Sequence, residues 1–149
     1  MEPINEVLSV LEFYGCKVEP CGSRVTCNPA PTDTDQDYLV EVKDDINTIS
    51  EVVNRLQSFG FRWEGGEHYQ QAMTGDFMSW RREDQNLIVT ANAAFAERHR
   101  TATMVCTRLN LLKKDDRIAL FQAVLYGNRW DGGGWTPTLP EIKEAEIAF

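Results

Sequence analysis

The sequence contains no apolar run that approaches the roughly 20 residues needed to cross a membrane. Its first residues also lack the basic start and the apolar stretch of a secretory signal. We therefore expect a cytoplasmic protein with no membrane partner. The 149 residues, of which 42% are hydrophobic and 26% charged, predict one globular domain with a modest core.

Cysteine is scarce, since the chain has only Cys16, Cys21, Cys27 and Cys106. Their spacing lacks the paired CxxC of structural zinc sites and does not indicate a disulfide framework. Buried, reduced cysteines are therefore expected. The two histidines, His68 and His99, are too far apart in the sequence to suggest a metal cluster. His99 stands between Arg98 and Arg100 on a predicted helix, which favours a position facing solvent.

Basic residues are also few: 15 Lys and Arg stand against 23 Asp and Glu, a net charge of −8. This balance disfavours non-specific binding to duplex DNA. The charge is uneven, because residues 76–130 hold nine of the basic residues but only six of the acidic ones. A basic face opposite an acidic one suits a small anion such as a nucleoside triphosphate. Solvated helix faces are the alternative explanation.

The hydrophobic pattern alternates between the helical and the strand period. It predicts helices over residues 3–14, 48–59, 93–109 and 115–126, with Thr48 in a capping box at the start of the second. Strands are predicted over 17–21, 37–42, 61–63, 77–82 and 86–90. The fold class is therefore α/β (α+β): a single domain over residues 1–127, with a small mixed sheet flanked by helices. A tail over residues 128–149, rich in Gly, Trp and Pro, packs on this domain or extends from it.

Two short motifs flank a loop in the first third of the chain. Gly22-Ser23-Arg24 follows the first predicted strand, and Asp35 and Asp37 stand where the second begins. Residues i and i+2 of a strand point to the same side, so the two carboxylates are expected to project together. Two adjacent carboxylates repel each other unless a cation neutralises them, and their hard oxygens suit Mg²⁺. A solvated acidic turn is the alternative interpretation.

These segments resemble the signature of the DNA polymerase β-like nucleotidyltransferase superfamily. That signature is a Gly-Ser turn, a loop of about ten residues and Ser/Thr-Asp-x-Asp leading into an apolar strand. The resemblance implies that Gly22, Ser23 and Arg24 contact a nucleoside triphosphate. It also implies that Asp35 and Asp37 hold Mg²⁺ or Mn²⁺. The minimal nucleotidyltransferases are the most similar class. The later stretches over residues 86–90 and 114–127 also look like small proteins of bacteriophages and prophages, which would place the chain in a host cytoplasm.

The superfamily usually adds a third carboxylate from a neighbouring strand, and here the sequence departs from the pattern. The expected position holds Asn86, which cannot accept a proton. Glu83 and Asp84 lie nearby, in a predicted hairpin turn, and Glu83 is the alternative candidate. Arg81 and Arg82 alternate on the preceding strand, so only one can face the cleft; we assign the phosphate contact to Arg82, with a surface salt bridge as the alternative.

Three functions follow from these residues. The first is metal-dependent transfer of a nucleotidyl group to a hydroxyl acceptor on a protein, an RNA or a small molecule, in an enzyme weakened by loss of the third carboxylate. The second is a nucleotide-binding or regulatory module without catalysis. The third is a phage accessory protein whose acidic surface meets a host protein.

Overall fold

The computed structural model describes residues 1–32, 34–64 and 76–126. The helices in these ranges are α1 (Ile4–Phe13), α2 (Ser23–Thr26), α3 (Ile46–Ser58), α4 (Ala93–Leu109) and α5 (Lys114–Tyr126). The strands are β1 (Lys17–Cys21), β2 (Gln36–Glu41), β3 (Arg62–Trp63), β4 (Met78–Arg82) and β5 (Gln85–Thr90). The predicted tail of residues 128–149 and His68 lie outside the described residues.

The strands form one mixed sheet in the order β1-β2-β5-β4-β3. The central pair, β2 and β5, is parallel, and every other neighbouring pair is antiparallel. This arrangement confirms the predicted α/β class with a small mixed sheet. It also places the N-terminal ends of β2 and β5 next to each other, at the edge where β1 and β4 end.

Successive residues of a strand point to opposite sides of the sheet. Helices cover both sides here, so apolar side chains are buried on both faces. One core cluster joins the strands to α1 and α3 and includes Val7, Leu11, Val40, Val52, Leu56, Leu87 and Val89. The other joins them to α4 and α5 and includes Leu39, Ile88, Phe95, Ala102 and Phe121. A residue on β2 or β5 therefore faces one helix pair or the other according to its parity.

Two local predictions were wrong. The helix α3 begins two residues before Thr48, because Asp45 caps it: both the amide and the hydroxyl of Thr48 donate to Asp45 Oδ2, at 3.1 and 2.7 Å. His99 does not face solvent but is 1% exposed, with its ring between those of Phe95 and Phe121.

The cysteine prediction is confirmed, since all four cysteines are free and buried. Among the described residues, none of the helices combines the length and apolar character needed to cross a lipid bilayer.

Candidate functional site

A tight turn at Gly22 brings the end of β1 against the start of β2. Gly22 has φ of 78°, in the left-handed region that favours glycine. A Cβ atom at this position would lie 2.1 Å from Asp37 Oδ2, and 2.9 Å from Asp37 Cβ. Only glycine therefore leaves room for the Asp37 carboxylate at this point. The Gly-Ser turn and the second aspartate, which lie far apart in the sequence pattern, are in direct contact.

Ser23 and Arg24 secure the loop that precedes β2. Ser23 is 3% exposed and its hydroxyl donates to Thr34 Oγ1 at 3.3 Å. The Arg24 guanidinium donates to the carbonyls of Thr32, at 3.1 Å, and Thr34. These contacts hold the chain just before Asp35 against α2. The turn therefore positions Asp35 and Asp37, which we call the acidic pair.

Asp37 and Asn86 are partners in the parallel register of β2 and β5. The Asn86 amide donates to Asp37 Oδ1 at 3.1 Å, and the two residues are 4% and 1% exposed. The other two oxygens, Asp37 Oδ2 and Asn86 Oδ1, are buried without a hydrogen-bond partner. Asn86 thus lies on the strand beside Asp37, the position considered for the third carboxylate.

Burial raises the pKa of Asp37 to about 7, from an ordinary value of 3.8. The hydrogen bond from Asn86 opposes this effect, the negative charge of Asp35 adds to it, and Arg81 and Arg24 oppose it. Cys21, the register partner of Asp37 on β1, has a raised pKa for the same first reason and because of the Asp37 charge. Cys21 is therefore a neutral thiol and no nucleophile.

Asp35 forms an ion pair with Arg81, whereas the sequence pattern led us to assign the phosphate contact to Arg82. Arg81 Nη1 lies 3.0 Å from Asp35 Oδ2, and Arg81 Nε lies 2.9 Å from Glu64 Oε2. Arg81 pairs with Asn86 in the register of β4 and β5, so its side chain shares a face with Asn86 and Asp37. Burial lowers the pKa of Arg81, but the hydrogen bonds to Glu64 and Asp35 outweigh that effect and the net shift is upward.

Arg82 does not join this group, because the alternation of β4 turns it to the face of α1 and α3. Its guanidinium donates to Gln85 and to the carbonyls of Phe59 and Glu2, at 2.9 to 3.0 Å. It also lies over the Phe61 ring, 4.7 Å from the centroid. Arg82 is 4% exposed, so it joins elements of the core, and Arg81 is the arginine that faces Asp37.

Glu83 stands in the β4–β5 turn with φ of 55°, and its side chain is exposed. Among the described residues, no hydrogen bond or ion pair links Glu83 to Asp35 or Asp37. Its neighbour Asp84 lies nearer, 3.7 Å from Arg24 Nη2 and 3.3 Å from the Gln36 amide. Of the two acidic residues considered in this turn, Asp84 is therefore the one that contacts the residues around the loop before β2.

Within the part of the chain that the structure describes, no group of three His, Cys, Asp or Glu side chains is placed to hold a metal. The oxygens available at this site come from two carboxylates and the Asn86 amide. The unpartnered buried oxygen of Asp37, with the Asp35 carboxylate two residues away, fits a hard cation that carries some ligands of its own. Asp35 and Asp37 would hold such a cation, Mg²⁺ or Mn²⁺.

An apolar cavity of about 260 Å³ lies at the other end of the strands. It is lined by the start of β4, the end of β5 and one side of α3, including Met78, Val89 and Val52, with Trp63 at its edge. The acidic pair and Arg81 do not line it. Its chemistry is therefore separate from that of the polar site.

The polar site thus combines a glycine turn, two carboxylates, a buried amide and two arginines on neighbouring strands and the turns that join them. Comparison of the chain with family models, with curated proteins and with solved structures finds no match. We therefore infer the function of the chain from the chemistry of this site.

Proposed function

We propose that the chain binds a nucleoside triphosphate with Mg²⁺ or Mn²⁺ and transfers its nucleotidyl group to a hydroxyl of a protein, an RNA or a small molecule. The observation that carries this proposal is the buried Asp37 carboxylate. It lies against Gly22, has one oxygen without a partner, and has Asp35 two residues away. A desolvated carboxylate is costly unless a cation compensates it, and a metal bound to phosphate oxygens supplies that compensation.

In this function the chain's own residues bind and orient the reactants. Asp35 and Asp37 hold the cation, while Arg24 and Arg81 supply positive charge for the triphosphate. A metal held there would supply positive charge that stabilises the α-phosphate of the nucleotidyl group during transfer. The acceptor oxygen forms a bond to the α-phosphorus, and pyrophosphate leaves. Because Asn86 cannot accept a proton, the proton of the acceptor hydroxyl passes to water, and turnover is slow. In the cytoplasm, where we place this function, both nucleoside triphosphates and Mg²⁺ are present.

A second candidate function is nucleotide binding without catalysis, and Asn86 favours it. The Asn86 amide donates to Asp37 at 3.1 Å, so it occupies a carboxylate oxygen where a third acid would add negative charge. A site with two carboxylates and one amide binds a cation with less charge compensation than a site with three carboxylates. Such a site suits the recognition of a metal–triphosphate complex that is not turned over.

Thermal unfolding tests the proposed site, with ATP, CTP, GTP and UTP each added with and without Mg²⁺ or Mn²⁺. A ligand that binds only the folded state stabilises it by about 2.7 kcal/mol at a hundredfold excess over Kd. We expect stabilisation by at least one triphosphate only when a metal is present. Intact-mass measurement after the incubation detects nucleotidyl groups transferred to the chain itself.

The matched variants are Asp35→Asn with Asp37→Asn, and Asp44→Asn with Glu51→Gln as the control. Both pairs remove two carboxylates, but Asp44 and Glu51 are exposed residues beyond the other end of β2. The first pair should lose the metal-dependent stabilisation and the second should keep it. Equal stabilisation of both double variants would contradict the proposed site.

A further inference from the structure

Arg81 lies between two carboxylates at the edge of the proposed site. It contacts Asp35 at 3.0 Å and Glu64 at 2.9 Å through different nitrogens, and its side chain is 24% exposed. It also lies close enough to Asp37 to lower the pKa of that carboxyl. One guanidinium is therefore the counter-ion of three acidic groups on two segments of the chain, the start of β2 and the residue after β3.

The position of Arg81 conflicts with cation binding at Asp35. Asp35 Oδ2 accepts from Arg81 Nη1, so a divalent cation that takes this oxygen must displace a charge-assisted hydrogen bond. The displaced guanidinium stays near the site, because Glu64 still holds Nε. Its freed N–H groups then need an acceptor, and the planar fork of arginine matches phosphate oxygens.

We propose that Arg81 is an exchangeable counter-ion, which neutralises Asp35 in the ligand-free protein and moves to the triphosphate when a divalent cation takes Asp35. This inference depends on the proposed function, since it assumes that Asp35 and Asp37 bind the cation. Its consequence is that metal and triphosphate bind cooperatively: metal alone must compete with Arg81, whereas metal with triphosphate gives Arg81 a new partner. Arg81 is then the residue that restricts the site to anionic complexes of the metal.

The test measures two affinities in wild type and in Arg81→Gln. The first is for Mn²⁺ alone, from the free-ion signal in electron paramagnetic resonance. The second is for Mg²⁺ complexes of the four ribonucleoside triphosphates and of inorganic tripolyphosphate, from titration calorimetry. A charge-assisted hydrogen bond to one partner corresponds to a change of about tenfold or more. We therefore expect Arg81→Gln to bind Mn²⁺ about tenfold more tightly and the triphosphate complexes about tenfold more weakly.

Arg62→Gln is the matched control, because Arg62 is the exposed register partner of Arg81 on β3. It removes the same charge from the neighbouring strand, and both affinities should change by less than about threefold, as expected for a screened charge. Arg81→Lys keeps the charge without the fork and should weaken triphosphate binding. It replaces Arg81→Gln if circular dichroism shows that the glutamine variant is unfolded.

The two proposals fail in different ways. If wild type binds neither Mn²⁺ nor any of the triphosphate complexes, the proposed function and the exchange are both overturned. If wild type binds them through Asp35 and Asp37 but Arg81→Gln shifts both affinities in the same direction, or neither, the exchange alone is overturned. Opposite shifts in Arg81→Gln, absent in Arg62→Gln, support it.

Discussion

Asp37 is an acidic residue in a position that disfavours its ionised form when no ligand is bound. It is 4% exposed, and one of its oxygens has no hydrogen-bond partner, so the ionised form is poorly compensated. Burial accordingly raises its pKa to about 7. A carboxylate in such a place reduces the stability of the fold, and its presence is consistent with a cost accepted for ligand binding.

The raised pKa predicts how stability depends on pH. The folded state keeps the Asp37 proton up to about pH 7, whereas the unfolded chain loses it near 3.8. The contribution of Asp37 is therefore most favourable below about pH 4, and it is lost as pH rises towards 7. Asp37→Asn, which cannot ionise, should stabilise the metal-free protein at pH 8, by an amount on the order of 4 kcal/mol, and change it little at pH 4.

Urea unfolding in the presence of a chelator measures this difference at the two pH values. Asp44→Asn serves as control because Asp44 is exposed, and it should show a small effect at both. A free energy of unfolding that differs between wild type and Asp37→Asn by the same amount at pH 4 and pH 8 would refute the titration of Asp37 in this window.

Asn86 separates a slow transferase from a binding module. Asn86→Asp supplies a base beside Asp37 and a third carboxylate for the cation, and a positioned base contributes about a hundredfold or more to rate. We expect nucleotidyl transfer, measured with labelled triphosphate and Mn²⁺, to rise by about a hundredfold in this variant. Because the added charge lies beside Asp37, the metal-free variant should also be less stable than wild type.

Glu83→Gln is the companion variant, since Glu83 is exposed in the β4–β5 turn. It should leave transfer unchanged. Loss of transfer in Glu83→Gln, with no gain in Asn86→Asp, would show that Glu83 acts as the base. Absence of transfer in wild type and both variants, with triphosphate binding retained, would favour the binding module.

At the scale of elements, the turn between β1 and α2 depends on Gly22. Gly22→Ala introduces a Cβ at 2.1 Å from Asp37 Oδ2 and a side chain at positive φ. Gly15→Ala is a matched control: Gly15 has φ of 87°, but a Cβ there would meet nothing within 4 Å. We expect Gly15→Ala to cost about 1 kcal/mol, for the backbone alone, and Gly22→Ala to cost about 3 kcal/mol or more.

Denaturant unfolding of the two glycine variants decides this comparison. The variant Gly22→Ala with Asp37→Ala should recover part of the loss, because the colliding carboxylate is removed. Equal costs for the two single variants would mean that the close approach of Asp37 to Gly22 is not a constraint on the fold.

The longer elements were predictable because each carries its own periodic signal. The stripe along α3 and the run Gln85–Thr90 both give their type from residues that are neighbours in the sequence. The errors occur where a partner from another element, or a single local bond, decides the outcome. Asp45 rather than Thr48 caps α3 through one carboxylate oxygen, and His99 is buried because Phe121 packs against it from α5.

The site was predictable to a similar depth. The motif spacing brought Gly22 and Asp37 under consideration, the resemblance added Asn86, and the structure places these three in contact or in register. The choice of Arg82 over Arg81 was not decidable from alternation alone, since parity does not tell which face carries Asp37. Only the register of β4 with β5 aligns Arg81 with Asn86.

At the scale of the whole molecule, the helix layer of α4 is joined to the sheet by a charged cluster far from the acidic pair. Arg100 donates to Glu41 on β2 and to Glu19 on β1, as well as to Glu97 on its own helix. The side chains of Arg100 and Glu41 are 23% and 16% exposed. Glu41 ends β2, at the opposite end of the strand from the site.

Removing Arg100 should therefore weaken the fold without altering the site. Arg100→Gln leaves Glu19 and Glu41 without their shared cation, and a partly buried pair broken in this way costs about 2 kcal/mol. Arg108→Gln, at an exposed position in the last turn of α4, should cost less than about 0.5 kcal/mol. Urea unfolding measures both, and Glu41→Gln added to Arg100→Gln should recover part of the loss because it removes one of the unpaired charges.

The stabilisation of Arg100→Gln by metal and triphosphate should equal that of wild type, since Asp37 and Glu41 lie near opposite ends of β2. An unfolding cost no larger than that of Arg108→Gln would show that apolar packing alone holds α4, and a lost ligand response would show that the two ends of the sheet are coupled.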